Sequence, residues 1–464
     1  MKKNQIFVLL VIYLLIAATT IIFFEGTGGS GDSIHHYLFA KFAPLHPELY
    51  FNHWAKPLYV LLVSPFAQLG FVGVKIFNAI VSMFTVFFTF KIAQKLNVNN
   101  AIFGSIILIF SPLYFTLTFS GLTEPLFALF VSIGIYAVLI HKPIISCFII
   151  SFLPFIRSEG LIIIGVFSLY LLLKKDWKLI PYLLVGHIVY SIAGFFVFDD
   201  LFWVFNKIPY ARMSSTYGSG ELSHFFVKMM YVIGVPIYLL FWIGVIIIIY
   251  KSIKKRISIE IKTLIFLGFF AFFIAHSLFW YLGIFNSMGL KRVLIGVAPL
   301  ISIISLIGFN FVTEELFKSK RILKLIFKGL LIFYILIFPF TSNPAAINWD
   351  KDLNLSKDQQ AAFQIADFIN KRRNSNQCFI FAHPYLSEVL KIDHFDHKKR
   401  LELTPDFISQ AKSGDIVIWE NWFAVVEQGI TKEHLDANKN ITSLYNLSLW
   451  DSGREINYTV YRIN

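Results

Sequence analysis

An acidic residue that could bind a ligand at the membrane surface follows a glycine-rich stretch. Residues 28–31 read Gly-Gly-Ser-Gly, and Asp32 is then followed by Ser-Ile-His35-His36. A carboxylate here could present its oxygens to a ligand. It could equally cap the helix that the next residues favour, since aspartate is a preferred N-cap residue. The two roles are compatible, because a capping carboxylate keeps its second oxygen for a ligand.

Two short segments place charges inside otherwise apolar sequence. One is Thr123-Glu124-Pro125, and the other is Arg157-Ser-Glu159-Gly160. Ionisable side chains at membrane depth are costly, so they indicate a functional site by default. The alternative is structural, because Arg157 could pair with Glu159 or Glu124 and fix the packing of helices. Glu124 and Glu159 are candidate substrate-binding residues.

Four cations could bind a phosphate group, namely Lys56, Arg157, Lys291 and Arg292. The planar guanidinium group matches two phosphate oxygens at once, which favours the arginines. For the pair at 291–292 the alternative is that two long side chains extend toward the membrane surface. We predict that these cations form a phosphate-binding site.

A second polar loop, 199–224, ends in a segment rich in glycine and serine that begins at Tyr217 and ends at His224. An ordinary connecting loop explains this composition as well as a binding site does. We include Tyr217 and His224 with His35 and His36 as candidate substrate-binding residues. The sequence singles out no set of metal ligands.

The composition requires a membrane. Of 464 residues 56% are hydrophobic and only 15% are charged, whereas soluble proteins carry about 25% charged residues. The net charge of +13 does not indicate a nucleic-acid partner, because the charges are unevenly placed. Residues 1–346 hold 27 basic and 12 acidic residues, while the tail from Ile347 holds 14 basic and 16 acidic ones.

A helix that crosses a membrane needs about 20 mostly apolar residues. Apolar segments close to this length recur along the first three quarters of the chain. We predict eleven spans, near 5–24, 71–90, 101–119, 122–140, 143–156, 160–173, 179–198, 225–250, 263–283, 290–311 and 322–341. With the N-terminus in the cytoplasm, 18 basic and 4 acidic residues of 1–346 face inward, against 9 basic and 8 acidic outward. The positive-inside rule supports this orientation.

The orientation places two long loops and the tail outside the cell. The first outer loop, 25–70, has aromatic amphipathic stretches that can lie at the membrane interface. The tail, 342–464, contains two short apolar runs at 378–382 and 415–419 and helical periodicity at 359–371, which predict buried strands and a helix. The predicted fold is an all-α polytopic membrane bundle, 1–341, with a small extracytoplasmic α/β domain.

Taken in their order along the chain, these sequence features resemble those of the GT-C superfamily. These are polytopic glycosyltransferases that use polyprenyl-phosphate sugars, and they include protein O-mannosyltransferases and lipid A aminoarabinose transferases. The resemblance rests on Asp32 after the first span, Lys56-Pro-Leu-Tyr59, Thr123-Glu-Pro-Leu126, Arg157-Ser-Glu-Gly-Leu161 and the outer tail. It covers residues 1 to about 341, and the combination and order of the motifs carry it.

The resemblance implies an inverting transfer of a sugar, such as a mannose-like hexose, from a polyprenyl-phosphate donor to an acceptor hydroxyl. Asp32 matches the first-loop acid that deprotonates the acceptor, and the four cations would hold the donor phosphate. Some branches have a pair of acids where this chain has one, so a divalent metal stays possible. The acceptor could be a lipid, a glycan or a protein, and membrane lipid is the surrounding partner.

Two other functions fit part of the pattern. A flippase or transporter for lipid-linked glycans would also place cations and aromatic residues at membrane depth. Against a transporter stand the absence of evident repeats and the gathering of acids on one face. A glycan polymerase or ligase is the third possibility, since it too would use a lipid-linked donor outside the cell.

Overall fold

The computed structural model describes residues 2–29, 31–210, 213–316, 321–372, 377–451 and 453–464. Helices dominate up to residue 340, because a backbone surrounded by lipid must satisfy its hydrogen bonds within each segment. The helices of the first half are α1 (Lys2–Phe23), α2 (Asp32–Phe42), α3 (Pro57–Ala67), α4 (Phe71–Lys95), α5 (Ala101–Ile109), α6 (Pro112–Thr118), α7 (Glu124–Leu139), α8 (Pro143–Ser151), α9 (Gly160–Leu173), α10 (Val185–Phe198) and α11 (Trp203–Asn206).

The second half contains shorter helices and all of the strands. Its helices are α12 (His224–Lys228), α13 (Met230–Ile233), α14 (Val235–Ile253), α15 (Gly268–Leu282), α16 (Ala298–Asn310), α17 (Arg321–Ile337), α18 (Trp349–Asp352), α19 (Lys357–Asn370), α20 (Tyr385–Val389) and α21 (Lys432–Asp436). Segments of 3₁₀ helix, at Trp177–Leu184 and Lys291–Val297, and of π-helix, at Ile261–Leu267 and Phe311–Glu315, extend several of these helices. The strands are β1 (Phe379–Phe381), β2 (Arg400–Leu401), β3 (Ile416–Glu420), β4 (Ile441–Asp451) and β5 (Arg454–Ile463).

The protein is a multi-pass membrane protein, but the count of eleven spans is not confirmed. Within the described ranges, seven helices are long and apolar enough to cross a membrane, and α5 with α6 makes an eighth if this pair, bent by 67°, is one span. The other three segments, 122–140, 143–156 and 160–173, fold as apolar helices of 10–17 residues. At 1.5 Å per residue such a helix is at most about 26 Å long, shorter than the apolar core of a bilayer.

The central span begins at Lys291 and ends at Glu315. Of its apolar window 89% is buried inside the protein, and α16 within it packs against α14, α5 and α4. No other candidate span of the described chain has so large a buried fraction. Arg292 therefore lies at the start of the most enclosed span.

The first loop, 25–70, folds into α2, a helical turn at Pro47–Phe51 and α3. The N-terminal half of this loop is bonded to the tail. Gly26 N donates to Leu353 O at 2.7 Å, and Gln359 Nε2 donates to Thr27 Oγ1 at 2.7 Å. The glycines at 28 and 29 adopt positive φ angles of 73° and 113°, which non-glycine residues rarely adopt. The glycine-rich lead thus turns the chain sharply into α2.

The tail forms one five-stranded sheet in the order β2-β1-β3-β5-β4. The predicted strands at 378–382 and 415–419 are confirmed as β1 and β3, which pair in parallel, and the predicted helix at 359–371 is confirmed as α19. Helix α19 packs on β4 and β5. The antiparallel hairpin β4–β5 was not predicted, although the alternation Tyr445-Asn-Leu447-Ser-Leu449 is typical of a half-buried strand.

The tail docks directly on α2. Glu388 at the end of α20 accepts hydrogen bonds from Lys41 Nζ at 2.7 Å and from the Tyr37 hydroxyl at 3.1 Å. A second contact joins His46 Nε2 to Asp393 Oδ2 at 2.8 Å. The tail and the helix that begins with Asp32 therefore lie on the same side of the membrane.

We predict that this side is extracytoplasmic, because the basic residues partition to the other side. Glu433→Cys should react with an impermeant maleimide in intact cells, since residue 433 is exposed on α21. Lys255→Cys, exposed between two spans at the opposite end, should react only after permeabilisation. The two native cysteines, Cys147 and Cys378, are buried and should stay unlabelled. The reverse pattern would show that the tail is cytoplasmic.

Candidate functional site

Asp32 is the first residue of α2 rather than its cap. The N-cap residue is Gly31, and no side chain caps this helix. The expectation that Asp32 caps α2 is therefore wrong, although a carboxylate in the first turn still stabilises the helix through its dipole. The carboxylate of Asp32 forms an ion pair with Arg292 instead, and its side chain stays 43% exposed.

The charged residues picked out from the sequence form one connected chain. Arg292 lies between Asp32 and Glu124, and its Nε is 3.5 Å from Glu124 Oε1. The same Glu124 oxygen lies 2.8 Å from Arg157 Nη1, and Arg157 Nη2 lies 2.9 Å from Glu159 Oε1. We call Asp32, Arg292, Glu124, Arg157 and Glu159 the acid–arginine chain. Both of the ion pairs predicted for Arg157 are present.

Access to the acid–arginine chain is from the Asp32 end. The Glu124 side chain is fully buried, and Glu159 and Arg292 are 19% and 20% exposed. The exposed fraction rises to 43% at Asp32. A ligand from solvent therefore meets Asp32 and Arg292 first, whereas Glu124 acts only through its two arginines.

Lys56 lies beside the acid–arginine chain. Its Nζ donates to Ser158 Oγ at 2.9 Å, between Arg157 and Glu159 in the sequence. Burial lowers the pKa of Lys56 to about 8, although the charge of Glu159 opposes this. Lys56 also adopts a positive φ of 71° immediately before Pro57, a costly conformation that the surrounding structure must hold. Both the buried charge and the backbone conformation of Lys56 therefore cost stability.

The two histidines of α2 hold the first loop together. His36 Nδ1 bonds to Ala55 O at 3.1 Å, and its ring stacks on Trp54 with centroids 5.0 Å apart. His35 meets the Trp54 ring edge-on at 5.5 Å. Burial lowers the pKa of His35 to about 4 and that of His36 to about 3, so both rings are neutral at physiological pH.

Three predicted site residues have no hydrogen bond or ion pair with the acid–arginine chain among the described residues. Lys291 Nζ lies over the Tyr231 ring, 5.9 Å from its centroid. His224 Nε2 bonds to Gly289 O at 2.8 Å, and Tyr217 donates to Glu427 Oε1 at 2.7 Å. Lys291 and Arg292 diverge because successive residues of a 3₁₀ turn point about 120° apart.

Some residues near the site were missed in the sequence. His276 in α15 lies 3.8 Å from Glu159 Oε1, and a lone histidine in an apolar helix was the available signal. Glu427 and Arg400 come from the tail, and no local pattern connects them with the loop at 217. Within the described part of the chain, no group of three or more His, Cys, Asp and Glu side chains is arranged to hold a metal ion.

Removal of Arg157 should destabilise the protein strongly. Arg157→Ala leaves the fully buried Glu124 without its shorter ion pair, and losing one partner of a buried pair costs about 3–5 kcal/mol. Equilibrium unfolding in detergent measures this change. Lys251→Ala is the matched control, because the Lys251–Glu315 pair is exposed and surface pairs contribute at most about 1 kcal/mol. Equal stability of the two variants would contradict a stabilising role for Arg157.

The fold matches solved structures along its whole length. It is similar to the crystal structure of ArnT from Cupriavidus metallidurans bound to undecaprenyl phosphate, with a TM-score of 0.63, 10% sequence identity and coverage of 98% of this chain and 97% of that chain. The apo structure of the same protein gives a TM-score of 0.64 at 10% identity and covers 99% and 98%. No protein-family description and no curated protein sequence matches the chain.

Proposed function

We propose that this protein is an integral membrane glycosyltransferase that uses a polyprenyl-phosphate sugar as donor. The observation that carries the proposal is the contact between Asp32 and Arg292 at the start of the central span. It places a candidate base and a candidate phosphate ligand side by side at the accessible end of the acid–arginine chain. Transfer of a sugar from a lipid phosphate to a hydroxyl requires both groups.

The structural likeness supports the class of donor. ArnT from Cupriavidus metallidurans was solved with undecaprenyl phosphate, and its fold covers nearly all of this chain. The resemblance found in the sequence agrees with this fold. A lipid-phosphate donor also fits the location of Arg292, because the first residues of a span lie where a lipid headgroup lies.

The proposed reaction transfers one proton and releases one leaving group. The acceptor oxygen attacks C1 of the sugar, the bond between C1 and the phosphate oxygen breaks, and the polyprenyl phosphate leaves with an additional negative charge. Asp32 takes the proton of the acceptor hydroxyl, and Arg292 compensates the charge of the phosphate. A single displacement inverts the anomeric carbon. A mannose-like hexose is the sugar that we propose.

The Asp32–Arg292 pair makes the base dependent on the donor. Burial is the largest effect and raises the pKa of Asp32, but Arg292, His36 and His35 together outweigh burial and lower the pKa overall. A carboxylate held in this way is a weak base. A donor phosphate that binds Arg292 competes with Asp32 for the guanidinium group, so the pKa of Asp32 rises once the donor is in place. Donor binding thereby prepares the base.

The remaining residues of the acid–arginine chain are positioning residues in this proposal. Glu124 is fully buried, so it orients Arg292 and Arg157 and does not touch substrate. Arg157 shares Glu124 with Arg292, and Lys56, which bonds to Ser158 beside Arg157, adds a second positive charge. We therefore assign Arg292 the direct phosphate contact, with Arg157 and Lys56 behind it.

Asp32→Asn should abolish transfer and leave donor binding intact or tighter. The amide cannot accept a proton, and loss of a positioned base costs about 100-fold to 10,000-fold in rate. The helix should survive, because Asp32 does not cap α2, and Arg292 is no longer neutralised by a carboxylate. The measurement is transfer of label from a polyprenyl-phosphate hexose to membranes of a deletion strain.

The control for Asp32→Asn is Asp199→Asn. Asp199 is exposed and adopts a left-handed conformation with φ of 52°, which asparagine also tolerates. This variant should keep parental activity. Activity of Asp32→Asn within a few-fold of the parent would exclude Asp32 as the base.

Arg292→Ala should weaken binding of undecaprenyl phosphate about 10-fold or more, since a charged hydrogen bond contributes about 1.5–3 kcal/mol. The neighbouring Lys291→Ala removes the same charge from a side chain that lies on Tyr231, and it should have a smaller effect. Binding of the fluorescent lipid phosphate to protein in nanodiscs compares the two. Equal losses would return Lys291 to the phosphate site and remove the special role of Arg292.

A further inference from the structure

We infer that the tail completes a binding site for an uncharged saccharide group next to Asp32, and that this site receives the acceptor. The inference rests on the proposed function and names the chemical class of the acceptor. It starts from the residues of the tail that lie near Asp32. None of them was a candidate in the sequence.

One side of this site runs from α2 to β2. His35, one helical turn after Asp32, meets the His394 ring edge-on with centroids 5.6 Å apart. Arg400 Nη1 donates to His394 O at 3.4 Å, and Arg400 forms an ion pair with Glu402. This line of contacts joins Asp32's own helix to a carboxylate of the tail.

The other side runs back through the second polar loop. Gln428 Nε2 donates to Glu402 Oε1 at 3.3 Å, and the adjacent Glu427 accepts the Tyr217 hydroxyl at 2.7 Å. Seven residues before Tyr217, the Tyr210 hydroxyl accepts Trp54 Nε1 at 2.8 Å. Trp54 in turn contacts His35.

These contacts join the three segments beside Asp32, and the Tyr210 and Tyr217 side chains both interact electrostatically with Asp32. We call the set the acceptor ring, and its members come from the first loop, the second polar loop and the tail. The acceptor ring consists of His35, Trp54, Tyr210, Tyr217, His394, Arg400, Glu402, Glu427 and Gln428.

The carboxylates of the acceptor ring are open to solvent. Asp32 and Glu402 keep 43% and 39% of their side chains exposed, and Glu427 is also exposed. Burial raises the pKa of Tyr217, and the charges of Glu427 and Asp32 raise it further. The hydroxyl of Tyr217 thus lies in the electrostatic field of both carboxylates.

The groups of the acceptor ring favour a ligand with hydroxyl groups. Ionised carboxylates only accept hydrogen bonds, so an oxygen of Glu427 that Tyr217 does not occupy can accept one from a ligand. Among the described residues, Glu427 bonds only to Tyr217 and has its second oxygen available. Arg400 is 8% exposed, and its Nε has no partner in the described part of the chain. Sugar hydroxyls both donate and accept, which matches this mixture.

The charges of the named members of the acceptor ring favour a neutral ligand over an anionic one. Glu402 and Glu427 together outweigh Arg400 by one negative charge, and Asp32 at the base is neutralised by Arg292. A phosphate or carboxylate would meet repulsion here, whereas it meets attraction at Arg292. The two substrates are thereby sorted by charge, with the donor phosphate on the arginine side of Asp32 and the neutral acceptor on the tail side.

Saturation-transfer NMR with methyl α-D-mannopyranoside, methyl β-D-glucopyranoside and methyl β-D-glucuronide tests this inference. The full-length protein is held in lipid nanodiscs, because glycoside detergents would compete. At least one neutral glycoside should receive saturation from the protein, and the glucuronide should receive at least 5-fold less. Glu427→Gln and Glu402→Gln should reduce the signal of the neutral glycoside at least 5-fold.

The matched control is Glu433→Gln, an exposed glutamate of the same domain outside the acceptor ring. It should behave as the parent does. Undecaprenyl phosphate binding, measured on every variant, should be unchanged and shows that the protein is folded. Absence of glycoside binding, or equal signals from the glutamate variants and the control, would overturn the acceptor ring. Absence of undecaprenyl phosphate binding to the parent would instead count against the transferase, so the two proposals fail separately.

Discussion

The buried charge of Glu124 is the constraint on which the rest of the site depends. A carboxylate removed completely from water loses several kcal/mol of hydration, and only close cations offset that loss. Two arginines from different parts of the chain do so, Arg157 at 2.8 Å and Arg292 at 3.5 Å. Each guanidinium group has further donors, which then bind Glu159 and Asp32. The acid–arginine chain follows from the need to neutralise one buried group.

The same constraint fixes where the first loop lies. Asp32 contacts Arg292 at the start of α2, while Lys41 and Tyr37 further along α2 contact Glu388 of the tail. Helix α2 is therefore held between the central span and a domain that follows it by about 350 positions in the sequence. A change in the docking of the tail would move the carboxylate relative to the guanidinium group. The tail thus acts on the site through the position of α2.

The sequence singled out the charged residues that come together better than it predicted the helices around them. Residues of the acid–arginine chain could be recognised because charged residues in apolar sequence are conspicuous. Arg157, Glu124 and Glu159 were singled out for that reason. The exact spans could not be predicted, because an apolar run such as 160–173 is equally compatible with a membrane crossing and with a shorter buried helix. The different contacts of Lys291 and Arg292 could not be predicted either, since the directions of these side chains depend on a 3₁₀ turn. The contacts of Tyr217 with Glu427 and of His35 with His394 depend on tertiary packing, which no local period reports.

In the proposed mechanism the ion pair with Arg292 keeps Asp32 a weak base until the donor binds, and the donor then releases the carboxylate. The base is therefore strongest when a sugar phosphate lies beside it. Water is the most abundant hydroxyl compound at an open site, so the released carboxylate would activate water as readily as an acceptor. The opening toward the tail then decides which hydroxyl reaches Asp32. An acceptor that fills this opening displaces the water that would otherwise consume the donor, so recognition of the acceptor and protection of the donor become the same event.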